Sequence, residues 1–293
     1  MGSSALAGGL EVAWLDVFTE RPFGGNPLAV VLDADALPTD AMQTLAAEIG
    51  LSETIFVLDD ARRLRIFTPG VELPLAGHPV VGASIELARR GRIPAEGTWT
   101  FATGVGDTPV ELGGGMATMT QAEPEAWPEL EPAMVAPLLG VEAADLEGPA
   151  VPFSTGVRFV CARVRDRATL AGVSADQEGI AAMDDPALGL VAWWEQDGSV
   201  AQRMFAPRMG IVEDPATGVA AGAVGALRVL QGSEPGPIVI QQGAELGRPS
   251  RIHVEVGGSP GAPSAPRVGG HAVLVMEGRL APGVPPLAPG GAL

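Results

Sequence analysis

Apolar and polar positions fall into short alternating blocks along most of the chain, interrupted by stretches with helical spacing. Glu11–Phe18 and Leu28–Leu32 read as strands joined through a turn at Gly24-Gly25-Asn26-Pro27. Thr39 is placed to cap a helix whose apolar positions Met42, Leu45, Ala46 and Ile49 recur at helical spacing, with Gly50 ending it. Ser52–Leu58 and Arg62–Phe67 are expected as strands, His78–Arg90 as a helix, and Thr98–Thr103, Pro109–Leu112 and Met116–Gln121 as antiparallel strands with Gly-rich turns. After Ala122–Pro132, rich in Glu and Pro, the theme returns. A helix near Ala133–Leu139 is followed by strands at Val157–Val164, Leu188–Trp194 and Val200–Phe205, a helix over Gly218–Leu230, and strands at Ile238–Gln242 and Ile252–Val256. Gly257–Pro266 reads as a low-complexity loop, His271–Glu277 as a last strand, and 282–293 as a disordered tail.

One unit occurs twice. Arg65-Ile66-Phe67-Thr68-Pro69 leads to Pro74-Leu75-Ala76-Gly77, and Arg203-Met204-Phe205-Ala206-Pro207 leads to Pro215-Ala216-Thr217-Gly218. In each copy a strand passes through a Pro-bounded loop to a glycine that opens a helix. Those helices, Val80–Ala88 and Val219–Val229, are apolar on nearly every face, as befits helices enclosed by protein. The expected fold is therefore α+β: two homologous domains, each a curved, mostly antiparallel sheet wrapped around a central apolar helix. The first domain is expected over 1–121 with a terminal strand returning at about 269–281, the second over 122–268. A glycine at a helix start leaves backbone N–H groups and the positive dipole end available to an anion. Gly77 and Gly218 are thus candidate cradles for a small carboxylate in a cleft between the halves.

Composition narrows the chemistry. A hydrophobic fraction of 46% in 293 residues argues for a folded core, and 40 Gly with 27 Pro for many turns. The net charge of −17 repels nucleic acid and anionic membrane surfaces over most of the protein. No long apolar run appears, and Met1–Gly9 lacks the basic and apolar regions of a signal peptide, so a cytoplasmic protein is expected. A homodimer is the default assembly. The chain has no lysine, which excludes a lysine Schiff base and a Walker A loop. Its single cysteine, Cys161, lies in the strand-like Val157–Val164 and is expected to be buried; alone, it excludes a pair of opposed thiol bases. The three histidines, at 78, 253 and 271, show no metal-ligand spacing, and no metal is expected.

Five motifs occur in one order: Asp16-Val17-Phe18-Thr19 with Gly25-Asn26-Pro27-Leu28-Ala29-Val30-Val31; Leu51-Ser52-Glu53-Thr54-Ile55-Phe56; Glu72-Leu73-Pro74-Leu75-Ala76-Gly77-His78-Pro79; Ser154-Thr155-Gly156; and Glu213-Asp214-Pro215-Ala216-Thr217-Gly218. Gln242-Gly243 with Gly247-Arg248-Pro249-Ser250 extends the set. Together they resemble the PhzF-like family of phenazine biosynthesis, over about residues 11–280. The resemblance implies the diaminopimelate epimerase-like fold and a cofactor-free isomerase in which a glutamate moves a proton between two carbons of a small cyclic carboxylate. Glu53 matches that glutamate, and His78 and Asp214 match polar partners around the substrate. One residue departs from the pattern: the family commonly has Ser after the glycine of its second helix motif, and here Val219 stands in that place. A valine can neither hydrogen-bond nor relay a proton, so the resemblance does not bring the phenazine-precursor substrate with it.

The residues support the same chemistry on physical grounds, each beside a plainer reading. A carboxylate near its ordinary pKa is a weak base towards carbon, and burial at the head of an apolar strand would strengthen Glu53; otherwise it is a strand-end glutamate in solvent. His78, at a helix start, is held neutral by the dipole, and a structural cap is its alternative. Asp214 before Pro215 is by default a turn or cap residue; near an ionised Glu53 it would instead form an acid and base pair. Asn26, the sole asparagine, is either a turn residue or a substrate contact. Arg65 and Arg203 are expected as structural ion pairs. The competing function is a non-catalytic member that binds a metabolite or a protein partner through the same cleft.

Overall fold

The computed structural model of the chain describes residues 9–281, so the tail expected over 282–293 lies outside the described residues. The backbone forms two compact units, one of residues up to Met119 together with those from Gly270, the other of Thr120–Gly269.

The first unit contains β1 (Glu11–Val17), β2 (Asn26–Val31), α1 (Thr39–Ile49), β3 (Thr54–Leu58), β4 (Arg63–Phe67), β5 (Glu72–Leu73), α2 (Gly77–Arg89), β6 (Gly97–Thr103), β7 (Gly106–Gly113) and β8 (Met116–Thr120). The chain's last described strand, Ala272–Arg279, pairs with β1. From it the lateral order runs β1, β2, β3, β4, β6, β7, β8. All neighbours are antiparallel except β2 with β3 and β4 with β6. The two parallel steps are the ones bridged by α1 and α2, because parallel neighbours need a crossover. On one side α2 packs on β1, β2, β3 and β7. On α1, Met42 and Ala46 meet Phe56, Leu58 and Phe67, and the Phe56 and Phe67 rings stand edge to face at 5.3 Å. With helices on both faces, all five residues of β3 are buried.

The second unit repeats this plan. It contains β9 (Glu125–Ala126), α3 (Pro132–Leu139), β10 (Val151–Ser154), β11 (Arg158–Arg163), α4 (Arg167–Gly172), α5 (Gln177–Ala181), β12 (Gly189–Gln196), β13 (Ser199–Ala206), β14 (Ile211–Asp214), α6 (Gly218–Leu230), β15 (Gly236–Gln242) and β16 (Ser250–Val256). The hairpin of β17 (Gly258–Ser259) and β18 (Ala262–Pro263) and then β19 (Arg267–Gly270) complete it. The order β9, β10, β11, β12, β13, β15, β16, β19 is parallel only at β11 with β12 and at β13 with β15. Both units therefore share one topology, with α6 in the place of α2. Each central helix uses a glycine to let strands approach: a Cβ at Gly82 would lie 2.5 Å from Leu28 Cδ2, and one at Gly225 2.8 Å from Val254 Cγ1. The second core gathers Val135, Leu139, Val160, Leu170, Ile180, Leu190 and Phe205 between the small helices and the sheet.

Four local expectations change. Thr39 is the first residue of α1 and caps nothing; Pro38 holds the cap position in extended conformation. Asn26 and Pro27 belong to β2, where Asn26 pairs with Val17, so the turn is confined to the residues before them. Glu53 precedes β3, which starts at Thr54 and has no polar face. The stretch Gly257–Pro266 holds the β17 and β18 hairpin.

Candidate functional site

In the first unit four of the expected residues converge where β2, β3 and α2 begin. Asn26, 1% exposed, accepts a hydrogen bond on Oδ1 from the Ser52 hydroxyl at 3.4 Å. Glu53, next to Ser52, is 8% exposed. Its carboxyl pKa is raised above the ordinary value by burial, against a smaller opposing effect of the Ser52 hydroxyl, which favours the ionised form by hydrogen bonding. His78, the second residue of α2, is also buried, and its Nδ1 lies 3.7 Å from Glu53 Oε2. That distance is too long for a hydrogen bond but close enough for both groups to reach one small molecule.

The start of α2 is shaped for close approach. Its first turn closes with Val80 N–H donating to the Ala76 carbonyl at 3.4 Å, so the amide of Gly77 lies ahead of the helical ladder. A side chain at Gly77 would enter open space, with no atom within 4 Å of where its Cβ would sit. Sequence reasoning did not single out Thr54, whose buried Oγ1 has no hydrogen-bond partner among the described residues. A buried hydroxyl of that kind asks for an explanation.

In the second unit Asp214, Gly218 and Val219 lie around the start of α6, held by a buried amide network whose Gln242, Thr217, Ser250 and Thr155 occur in the motifs but whose pairing no local pattern announced. Gln242 Oε1 accepts from the Thr217 N–H at 2.9 Å, and its Nε2 donates to the Asp214 carbonyl at 2.7 Å and to Thr217 Oγ1 at 3.1 Å. A backbone N–H on one side and a carbonyl on the other fix which way the amide points. With Thr217 Oγ1 receiving a hydrogen bond from Gln242, its own proton goes to Asp214 Oδ2. Gln202 Nε2 supports Gln242 Oε1 at 2.8 Å, and Ser250 donates to the Gln242 carbonyl at 3.0 Å. Gln121 donates to the carbonyl of Gly218 at 3.0 Å, and Thr155 donates to Gln121 Oε1 at 2.7 Å. Val219 is the second residue of α6, in the position that His78 takes in α2.

Other candidates resolve into structural roles. Arg65 pairs bidentately with Glu72 at 2.7 and 2.6 Å, and Arg203 with Glu213 at 2.8 and 2.7 Å. The two copies thus brace the same loop with the same ion pair. Cys161 is 1% exposed, and burial pushes its thiol up to about 12, which keeps it a neutral packing group. Among the described residues no three His, Cys, Asp or Glu side chains gather as metal ligands, and no helix is long and apolar enough to cross a membrane.

The profile of the phenazine biosynthesis-like proteins matches residues 15–278. The chain is 35% identical over 280 residues to a trans-2,3-dihydro-3-hydroxyanthranilate isomerase of Pseudomonas aeruginosa, covering 90% of this chain and 97% of that protein. It is also 35% identical over 291 residues to a Mesorhizobium japonicum protein named only as an isomerase, covering 90% and 96%. The crystal structure of a PhzF family protein from Bacillus anthracis superposes with a TM-score of 0.85 at 28% identity, over 93% of this chain and 99% of that one. A probable proline racemase of Agrobacterium radiobacter shares the fold, with a TM-score of 0.62 at 11% identity over 96% of this chain and 94% of that one.

Proposed function

Since the chain belongs to the phenazine biosynthesis-like family and is an isomerase, we propose that it moves a proton between two carbons of a small cyclic or unsaturated carboxylate, with Glu53 as the acid and base. The observation that carries this reading is the buried Glu53 carboxyl with its raised pKa beside the His78 imidazole. As a carboxylate, Glu53 takes a proton from an activated carbon, and the electron pair left behind spreads through the conjugated system. As a carboxylic acid, it returns that proton to another carbon of the same system. No electrons are gained or lost overall and no cofactor is called for. The raised pKa makes the carboxylate a stronger base and the acid readily formed, which suits one group to both halves of the transfer.

The α2 start supplies binding. The Gly77 amide and the helix dipole favour a substrate carboxylate, and the buried His78 imidazole beside Glu53 is placed to hydrogen-bond the same molecule. In the second unit we assign Asp214 a catalytic role and Gly218 and Val219 ligand binding at the start of α6, which Gln242 braces through the Asp214 carbonyl and the Thr217 N–H. Val219 puts an apolar side chain at that helix start.

The test uses trans-2,3-dihydro-3-hydroxyanthranilate, the substrate in the relative's name, and other unsaturated ring carboxylates in heavy water, followed by proton NMR. Glu53→Gln should lower deuterium incorporation and isomer formation by about 100-fold or more, the usual range for a lost general acid-base group. Exchange at the wild-type rate in that variant would overturn the assignment.

A further inference from the structure

The loop between β1 and β2 is held against the backbone preferences of its own residues. Phe18 and Phe23 both sit at positive φ, 64° and 70°, where a bulky side chain is strained. Phe18 is 1% exposed, so packing holds it in place, whereas Phe23 is 71% exposed and has no such support. A carboxylate restrains Phe23 instead. Its N–H donates to Asp16 Oδ2 at 2.6 Å, and Asp16 is 2% exposed. The rest of the loop is equally restrained. Thr19 Oγ1 donates to the Arg21 carbonyl and accepts from the Arg21 N–H, both at 3.1 Å, and Gly24 N–H closes a turn onto the Arg21 carbonyl at 3.3 Å. A buried carboxylate and a rigid turn are thus committed to presenting one aromatic ring to solvent in a strained conformation. Glycine would serve that turn with less strain. The reason for a phenylalanine therefore lies outside the folding of the loop.

Its location supplies one. β2 starts at Asn26, three residues beyond Phe23 and so within roughly 10 Å of chain, and Asn26 is the hydrogen-bond partner of Ser52, the neighbour of Glu53. We propose that Phe23 is a specificity-determining residue: its ring forms a wall of the substrate site beside Glu53, recognises a planar unsaturated ring carboxylate, and keeps water from the carboxyl once substrate is bound. Asp16 is the positioning residue that holds the ring there. This rests on Glu53 being the acid and base of the reaction.

The experiment measures binding of benzoate and of acetate, a ring and a ringless carboxylate, by titration calorimetry on the full chain and on Phe23→Gly, Phe23→Ala and Phe23→Trp. Wild type should prefer benzoate, and the glycine and alanine variants should weaken benzoate by up to about tenfold, the value of an aromatic pair. Acetate binding should not change, and Phe23→Trp should retain the preference. Phe23→Gly should melt no lower than wild type, because its φ suits glycine; a clear drop in Tm would make the ring a structural element and overturn the proposal. Equal benzoate affinity in wild type and Phe23→Ala, or a wild type that does not distinguish the two carboxylates, would also overturn it. Glu53→Gln should still bind benzoate, so a failed acid-base assignment shows in solvent exchange and a failed wall in benzoate affinity.

Discussion

An ionised carboxyl at Glu53 opposes folding, and the pH dependence of that opposition has a definite sign. Burial raises its pKa in the folded chain, so between the unfolded and folded values the folded state holds a proton that the unfolded state has released. Stability therefore falls as pH rises through that window, because the slope follows protons bound in the unfolded state minus those bound in the folded state. Below the ordinary carboxylate value both states are protonated and the penalty vanishes. Glutamine keeps the shape without the charge. Glu53→Gln should accordingly melt above wild type at neutral pH, with the gap closing as pH falls below about 4, where a glutamate is neutral in both states. Thermal melts across that range decide it, and a gap that does not depend on pH would contradict the buried-carboxyl account. Such a stabilisation of the variant at neutral pH supports the proposed acid and base role of Glu53.

At the scale of elements, the duplicated ion pair separates appearance from energetic weight. Arg65 and Glu72 have side chains 20% and 38% exposed, Arg203 and Glu213 only 9% and 10%. Arg203 Nη1 also donates to the carbonyls of Leu170, Ala171 and Val173 at 3.2, 3.3 and 2.7 Å. Removing Glu72 breaks a half-exposed pair worth about 0–1 kcal/mol. Removing Glu213 leaves a buried guanidinium without its counter-charge, at a cost of about 3–5 kcal/mol. Urea unfolding of Glu72→Ala and Glu213→Ala should show this inequality, and equal losses would refute it. Sequence patterns revealed the two arginines but not the inequality, since what buries Arg203 includes α4, six residues long and too short for a helical period to register. The longer α1, α2 and α6 were legible because their apolar spacing spans several turns. Glu53, His78 and Asp214 could be named from their motifs. The clamp of Gln242 on Thr217 and Asp214 could not, because its partners lie 25 and 28 positions away along the chain and meet only once the sheet forms.

Over the whole molecule the doubling was visible in two short repeated loops, yet the shared strand order emerges only when parallel and antiparallel neighbours are compared, information no single strand contains. That topology also makes the two units unequal as folding bodies. The second is one uninterrupted segment, Thr120–Gly269, with α6 and a core built from its own residues, and its size is ordinary for a domain. The first is interrupted: β1 pairs on one side with β2 and on the other with Ala272–Arg279 from the far end of the chain. Without that strand, β1 becomes an open edge carrying the buried Ala13, Leu15 and Val17, which invites aggregation. Residues 120–269 expressed alone should therefore give a cooperative urea transition and a far-UV spectrum with both helix and strand. Residues 1–119 alone should not, and joining 270–281 to Met119 through a short Gly/Ser linker should restore a cooperative transition. If 1–119 unfolds cooperatively without the returning strand, β1 does not depend on that pairing; if 120–269 fails to fold, its core is not self-sufficient.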